Sequence, residues 1–146
     1  MIRLADADAT ARLGAAIARV LRPGDTVCLF GPLGAGKSTL ARGLIRALTS
    51  PDEEVPSPTF TLVQTYDAAA MPVAHFDLYR LTKASEIDEL GLDEALDDGV
   101  AIIEWPERLE GRLPPDRLDI VIAPDGDGRT AVLTLHGGFE GRTIEF

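Results

Sequence analysis

The chain has 146 residues, 45% of them apolar and 26% charged, which is enough for one domain with its own core and leaves little room for a separate lid or substrate domain. Its net charge is −10, from 14 basic and 24 acidic side chains, and no stretch interleaves basic residues with aromatics, so independent binding to RNA or DNA is disfavoured. No window approaches the roughly 18 apolar residues of a membrane span, the start Met1-Ile2-Arg3-Leu4-Ala5-Asp6 lacks a signal-peptide apolar core, and the lone Cys28 excludes an internal disulfide; a cytoplasmic location is expected.

In chain order, residues 6–21 are predicted to form a helix capped by Asp6 or Asp8, with Leu13, Ile17, Val20 and Leu21 on one face. Arg22-Pro23-Gly24-Asp25 turns into an apolar strand, Thr26 to Phe30, where Cys28 reads as a buried, inert thiol. Gly31-Pro32-Leu33-Gly34-Ala35-Gly36-Lys37-Ser38-Thr39 follows, and then a helix from about Lys37 to Leu48 with Leu40, Leu44, Ile45 and Leu48 inward. Strand, glycine-rich turn and helix, with Gly31, Gly36, Lys37 and Ser38 in this spacing, form a P-loop. Its glycines let backbone N–H groups curl toward phosphate oxygens, and the helix start adds its free N–H groups. Lys37 is placed to reach the β- and γ-phosphates of a nucleotide, and Ser38 to offer its hydroxyl to Mg²⁺. The chain has only two lysines, Lys37 and Lys83, so a lysine at this offset is not an accident of composition.

Residues 55–66 begin extended, because Pro56 and Pro58 exclude helix, and then alternate as a strand with Phe60, Leu62 and Tyr66 on one side. The Ser57/Thr59/Thr61 stretch reads either as a switch that senses a γ-phosphate or as an ordinary hairpin entry. Residues 72–79 form another strand. Asp77 at its end is in the place of a Walker-B carboxylate, provided that strand lies beside the P-loop strand. His75, two residues earlier, shares its face and reads as a packed or hydrogen-bonded histidine rather than a ligand. Two short acidic helices follow, Lys83 to Gly91 and Leu92 to Asp98. Residues 51–100 carry twelve acidic and two basic side chains, which suits either a solvated face or a surface for a basic partner. Gly99 to Ile103 is a buried strand that delivers Glu104, Trp105 and Pro106 to a strand end, the edge where open α/β sheets bind ligands. Arg117 to Ala123 and Arg129 to His136 are strands around the turn Pro124-Asp125-Gly126-Asp127-Gly128, and Thr143 to Phe146 is a candidate last strand. The fold class expected is α/β: one P-loop NTPase domain, residues 1–146, in three layers, with a mainly parallel sheet and antiparallel strands at the C-terminal side.

Four segments together resemble the bacterial TsaE (YjeE) family of ATPases of tRNA threonylcarbamoyladenosine synthesis: residues 31–39, Ser57-Pro58-Thr59-Phe60-Thr61-Leu62-Val63, His75-Phe76-Asp77-Leu78-Tyr79-Arg80-Leu81 and Ile103-Glu104-Trp105-Pro106. The His-x-Asp-x-Tyr-Arg and Glu-Trp-Pro segments make the match close. Ser38-Thr39 stands where the family more often has two threonines, which keeps the hydroxyl. The resemblance implies an ATP- and Mg²⁺-binding protein that hydrolyses ATP slowly alone. It implies action with two partner proteins, TsaB and TsaD, which transfer a threonylcarbamoyl group to adenosine 37 of tRNAs reading codons that begin with A. The tRNA would be met only through that complex, and no membrane or DNA is involved. By the same resemblance Gly34, Ala35, Gly36, Lys37, Ser38 and Thr39 bind phosphates; Ser38, Glu104 and Asp77 hold the metal; Lys37, Asp77 and Glu104 serve hydrolysis; Ser57, Thr59 and Thr61 form the switch; Trp105 lies beside the nucleotide; and Ala7, Thr10, Gly128 and Arg129 surround the adenine. The rival readings are a small-molecule kinase, whose lid would have to come from the stretch with Arg108, Arg112 and Arg117, and a nucleotide-gated binding module with negligible hydrolysis.

Overall fold

The computed structural model describes residues 1–146. Its elements are β1 (Ile2–Leu4), α1 (Ala7–Ala18), β2 (Thr26–Phe30), α2 (Lys37–Leu48), β3 (Val63–Asp67), β4 (Pro72–Asp77), α3 (Leu92–Asp98), β5 (Val100–Glu104), β6 (Arg117–Asp125) and β7 (Gly128–His136), with short 3-10 turns at Ala84–Asp88, Pro106–Leu109 and Gly137–Phe139. The seven strands form one sheet in the order β1-β7-β6-β2-β5-β4-β3. Strands β6, β2, β5 and β4 run parallel, and antiparallel strands close both edges: β7 and β1 on one side, β3 on the other. The expected C-terminal antiparallel pair is therefore joined by a third and a fourth antiparallel strand.

The side-chain alternation of the central strands separates two cores. Val100 and Ile102 on β5 join Val27 and Leu29 of β2 in the larger cluster, beneath α1 and α2. Ala101 and Ile103 face the other side, with Ala74 and Phe76 of β4 and Leu92 of α3. Strands buried on both faces read as continuous apolar runs, which is why β2 and β5 stand out in the sequence. The same period of two makes Glu104 continue the 100–102 series, and makes His75 and Asp77 continue from Val73, which also belongs to the larger core. All three polar side chains thus project on the face carrying α1 and α2.

Helix α1 starts where its cap predicts: the Asp6 carboxylate accepts from the Ala9 N–H at 2.8 Å. It packs on α2 through small residues. A Cβ on Gly43 would meet the Ala11 backbone, with Ala11 Cα at 2.7 Å, and one on Gly14 would lie 2.7 Å from Leu44 N. Gly43→Ala should therefore lower stability by about 1–3 kcal/mol through overpacking against backbone. In an uncrowded helix the same change stabilises by about 1 kcal/mol, so the sign of the Tm change in thermal denaturation is the test.

Three expectations are corrected here. Residues 60–62 are a turn, closed by the Leu62 N–H donating to Pro58 O at 2.6 Å, and Phe60 is 82% exposed; the strand starts only at Val63. Thr143 to Phe146 is not a strand, because β1 already occupies the free edge of β7. The tail is held instead by Arg142, which donates to buried Asp25 at 2.5 and 3.1 Å. Finally, β4 is not beside the P-loop strand: β5 is. Glu104, not Asp77, ends the neighbouring strand.

Candidate functional site

The P-loop leaves β2 at Phe30 and enters α2 through Gly36, whose φ of 107° belongs to the left-handed region that glycine tolerates. Gly36 provides no side-chain cap, so the first N–H groups of α2, on Lys37, Ser38 and Thr39, have no helical partner and carry the positive end of the helix dipole. Lys37 is only 5% exposed. Its ammonium donates to Gly31 O at 2.5 Å and lies 3.5 Å from the centre of the Trp105 ring. Burial lowers the Lys37 pKa, while Glu104, Glu107 and Asp77 oppose that shift. Trp105 reaches this position by adopting φ 59° and ψ 49° just before Pro106. A left-handed aromatic residue preceding proline is strained, and such strain concentrates at functional positions.

Opposite the helix start, Asp77 and Glu104 sit in register on adjacent parallel strands, both buried. Ser38 Oγ donates to Glu104 Oε1 at 3.2 Å, and the His75 Nε2–H donates to Glu104 Oε2 at 2.6 Å. Asp77 accepts from Thr59 Oγ1 at 2.9 Å and from the Tyr79 N–H at 3.1 Å, and Ser57 Oγ lies 2.7 Å from Thr59 Oγ1. Residues 57 and 59 are thereby tied to the Asp77 carboxylate. Two carboxylates side by side and a hydroxyl, all hard oxygen donors, fit Mg²⁺, which needs few protein ligands because it keeps several waters.

Two clefts meet over the P-loop. One, of about 270 Å³, is lined by Gly34, Gly36, Lys37, Ser38 and Thr39 on one side and by Ser57, Thr59, Asp77, Glu104 and Trp105 on the other. The second, of about 300 Å³, lies between Ala7 and Thr10 of α1 and Gly128 of β7. Gly36, Thr39 and Arg129 line both. The polar first cleft and the second, reached across the helix start, suit a polyphosphate and the rest of a nucleotide respectively.

Residues 4–131 match the family described as threonylcarbamoyl adenosine biosynthesis protein TsaE. The chain belongs to the TsaE family. It is similar to the Bacillus subtilis (strain 168) tRNA threonylcarbamoyladenosine biosynthesis protein TsaE, 43% identical over 120 residues, which covers 82% of this chain and 72% of that protein. It is also similar to the protein of the same name from Rickettsia felis, 34% identical over 146 residues and covering 85% of it. Among solved structures, the crystal structure of Bacillus subtilis YdiB superposes with a TM-score of 0.77 at 32% identity, over 95% of this chain and 87% of that one.

Within this TsaE-family fold most of the expected site residues come together, but some have other surroundings. Ala35 is fully buried and lines neither cleft. Thr61 is exposed, lines neither cleft and accepts from Gln64 Nε2 at 3.2 Å. Arg129, expected beside an adenine, also braces the P-loop: Nε donates to Ala35 O at 2.8 Å and Nη2 to Gly34 O at 3.1 Å. This link spans 94 residues of sequence, and no local signal announces it. Arg108, Arg112 and Arg117, the only candidates for a kinase lid, line neither cleft; Arg117 bonds Asp119 and Pro114 O. Cys28 is buried and its pKa is pushed well up, chiefly by burial, as expected of an inert thiol. No helix is long and apolar enough to cross a membrane.

Proposed function

We propose that the chain is the ATP-binding and ATP-hydrolysing subunit of a tRNA threonylcarbamoyladenosine-forming assembly, acting on TsaB and TsaD and meeting tRNA only through them. One observation carries the catalytic part: the free start of α2, Lys37, Ser38, Asp77 and Glu104 converge on a single cleft. The family supports the biological part, and the names of its relatives refer to that modification.

In this reading the N–H groups of Lys37, Ser38 and Thr39 bind phosphate oxygens, and Lys37 leaves Gly31 O for the β- and γ-phosphates. Ser38, Glu104 and Asp77 hold Mg²⁺, which when bound neutralises charge developing on the transferred phosphoryl group. Thr59, now bonded to Asp77, lines the same cleft and is the switch residue. Arg129 keeps the loop in its curled form by occupying two of its carbonyls. Water is the phosphoryl acceptor, and the products are ADP and phosphate.

Charge supports a protein partner. The acidic stretch from Ala84 to Asp98 stands on the face opposite α1 and α2, with Asp88, Glu89, Asp93 and Glu94 exposed. Glu86 has a local use: its carboxylate accepts from the Lys83 N–H at 2.9 Å and from Thr82 Oγ1. Both bonds lower its pKa, the one from Thr82 most. A docking test should therefore spare Glu86. Turnover of ATP by the chain alone should be slow, unaffected by small metabolites, and raised by TsaB with TsaD. The double variant Asp88→Lys, Glu89→Lys should lose most of that stimulation and keep its ATP affinity. Stimulation by a metabolite that becomes phosphorylated would favour a kinase instead, and unchanged stimulation in the double variant would place the docking face elsewhere.

A further inference from the structure

We propose that His75 is a positioning residue that holds the Glu104 carboxylate in the orientation needed for the metal. His75 is 2% exposed and Glu104 3%, so the ring and the carboxylate oxygen turned away from the cleft depend on protein partners. A buried carboxylate without donors is costly, and its two oxygens could rotate between the cleft and the core. The structure divides them. Oε2 is engaged by the His75 Nε2–H at 2.6 Å, and Oε1 faces Ser38 Oγ at 3.2 Å in the phosphate cleft. His75 itself lines no cleft.

The backbone explains how the ring is aimed. His75 and Asp77 share one face of β4, and Asp77 pairs in register with Glu104. His75 is thus one diagonal step behind the carboxylate pair, within reach of Glu104 from below. Its other nitrogen, Nδ1, is buried with no hydrogen-bond partner. An unsatisfied buried polar atom has a cost, so packing alone would favour an apolar residue here. The bond to Glu104 is what a histidine gains over a leucine. A donor behind a metal-binding carboxylate fixes its orientation, and losing such a partner typically costs about 10–100-fold in metal affinity.

The inference rests on the reading of Ser38, Asp77 and Glu104 as the metal-holding set, and the test separates the two. Nucleotide binding is followed through the fluorescence of Trp105, the only tryptophan, while Mg²⁺ is titrated at fixed ATP. His75→Leu should raise the Mg²⁺ midpoint about 10–100-fold, with Mg²⁺-free ATP affinity within about twofold of the parent. His75→Gln returns an N–H near the position of Nε2 and should restore the midpoint to within a few-fold. His75→Asn places its donor near Nδ1 and should not. A role in packing alone predicts no difference between the Gln and Asn variants, and that result overturns the proposal. So does an unshifted midpoint in His75→Leu, or failure of both amide variants when thermal melts show them folded. Should His75→Leu itself not fold, the Gln and Asn pair decides. If the parent chain shows no Mg²⁺ dependence, the metal reading itself is overturned, and this inference with it.

Discussion

Lys37→Ala should abolish tight ATP binding and reduce hydrolysis by about 10²–10³-fold, the loss expected when one preorganised charge is removed from a transition state. The folded chain should survive the change. In this structure Lys37 contributes one hydrogen bond, to Gly31 O, and a contact with the Trp105 ring, and it sits nearly buried at a desolvation cost that alanine removes. The Tm should therefore move little. Trp105 emission should change even without nucleotide, because its ring loses the ammonium 3.5 Å from its centre. Calorimetric titration with ATP, together with a turnover assay and a thermal melt, checks all of this. Unchanged affinity and turnover in a folded variant would contradict the assignment of the P-loop.

How much of this was legible in the sequence depends on the range of each interaction. The P-loop and the bounds of α2 follow from local chemistry, with Gly36 in a left-handed cap and Lys37 and Ser38 just after it. Strand β5 was equally plain, because burial on both faces gives an unbroken apolar run. Strand order was not legible. It depends on which strands meet across the sheet, and it moved the place beside the P-loop strand from Asp77 to Glu104. β1 has three residues, too few for a periodic signal, yet it pairs with the edge of β7, and Thr143 to Phe146, a candidate last strand, forms none. The alternation of Phe60 and Leu62 was misleading: the Pro58 carbonyl closes a turn, and Leu62 adopts φ 68°. The braces on the site are long-range. Arg129 on the P-loop and His75 on Glu104 each depend on a fold already formed.

Glu104→Gln should separate function from stability. Its amide keeps the size of the side chain and an oxygen to accept from His75, and it removes the charge. The parent buries two carboxylates in register on adjacent strands, so removing one relieves repulsion, while Lys37 loses one of the carboxylates that favour its charge. The two effects oppose each other, and the nucleotide-free Tm should stay close to that of the parent. Mg²⁺-dependent hydrolysis should fall by at least about 10²-fold. Glu104→Ala behaves differently, because it leaves the buried His75 Nε2–H unpaired and should cost about 1–3 kcal/mol. A Glu104→Gln chain that loses Tm while retaining turnover would mean that Glu104 is structural.

The central claim is that this cleft runs an ATP cycle on which tRNA modification depends. The most direct measurement is the yield of threonylcarbamoyladenosine on tRNA from TsaB and TsaD, supplied with an activated threonylcarbamoyl donor and ATP, in the presence of this chain or of its Lys37→Ala variant. The account predicts a product yield with the parent chain well above the yield with the variant or with no added chain. Equal yields in all three reactions would contradict it.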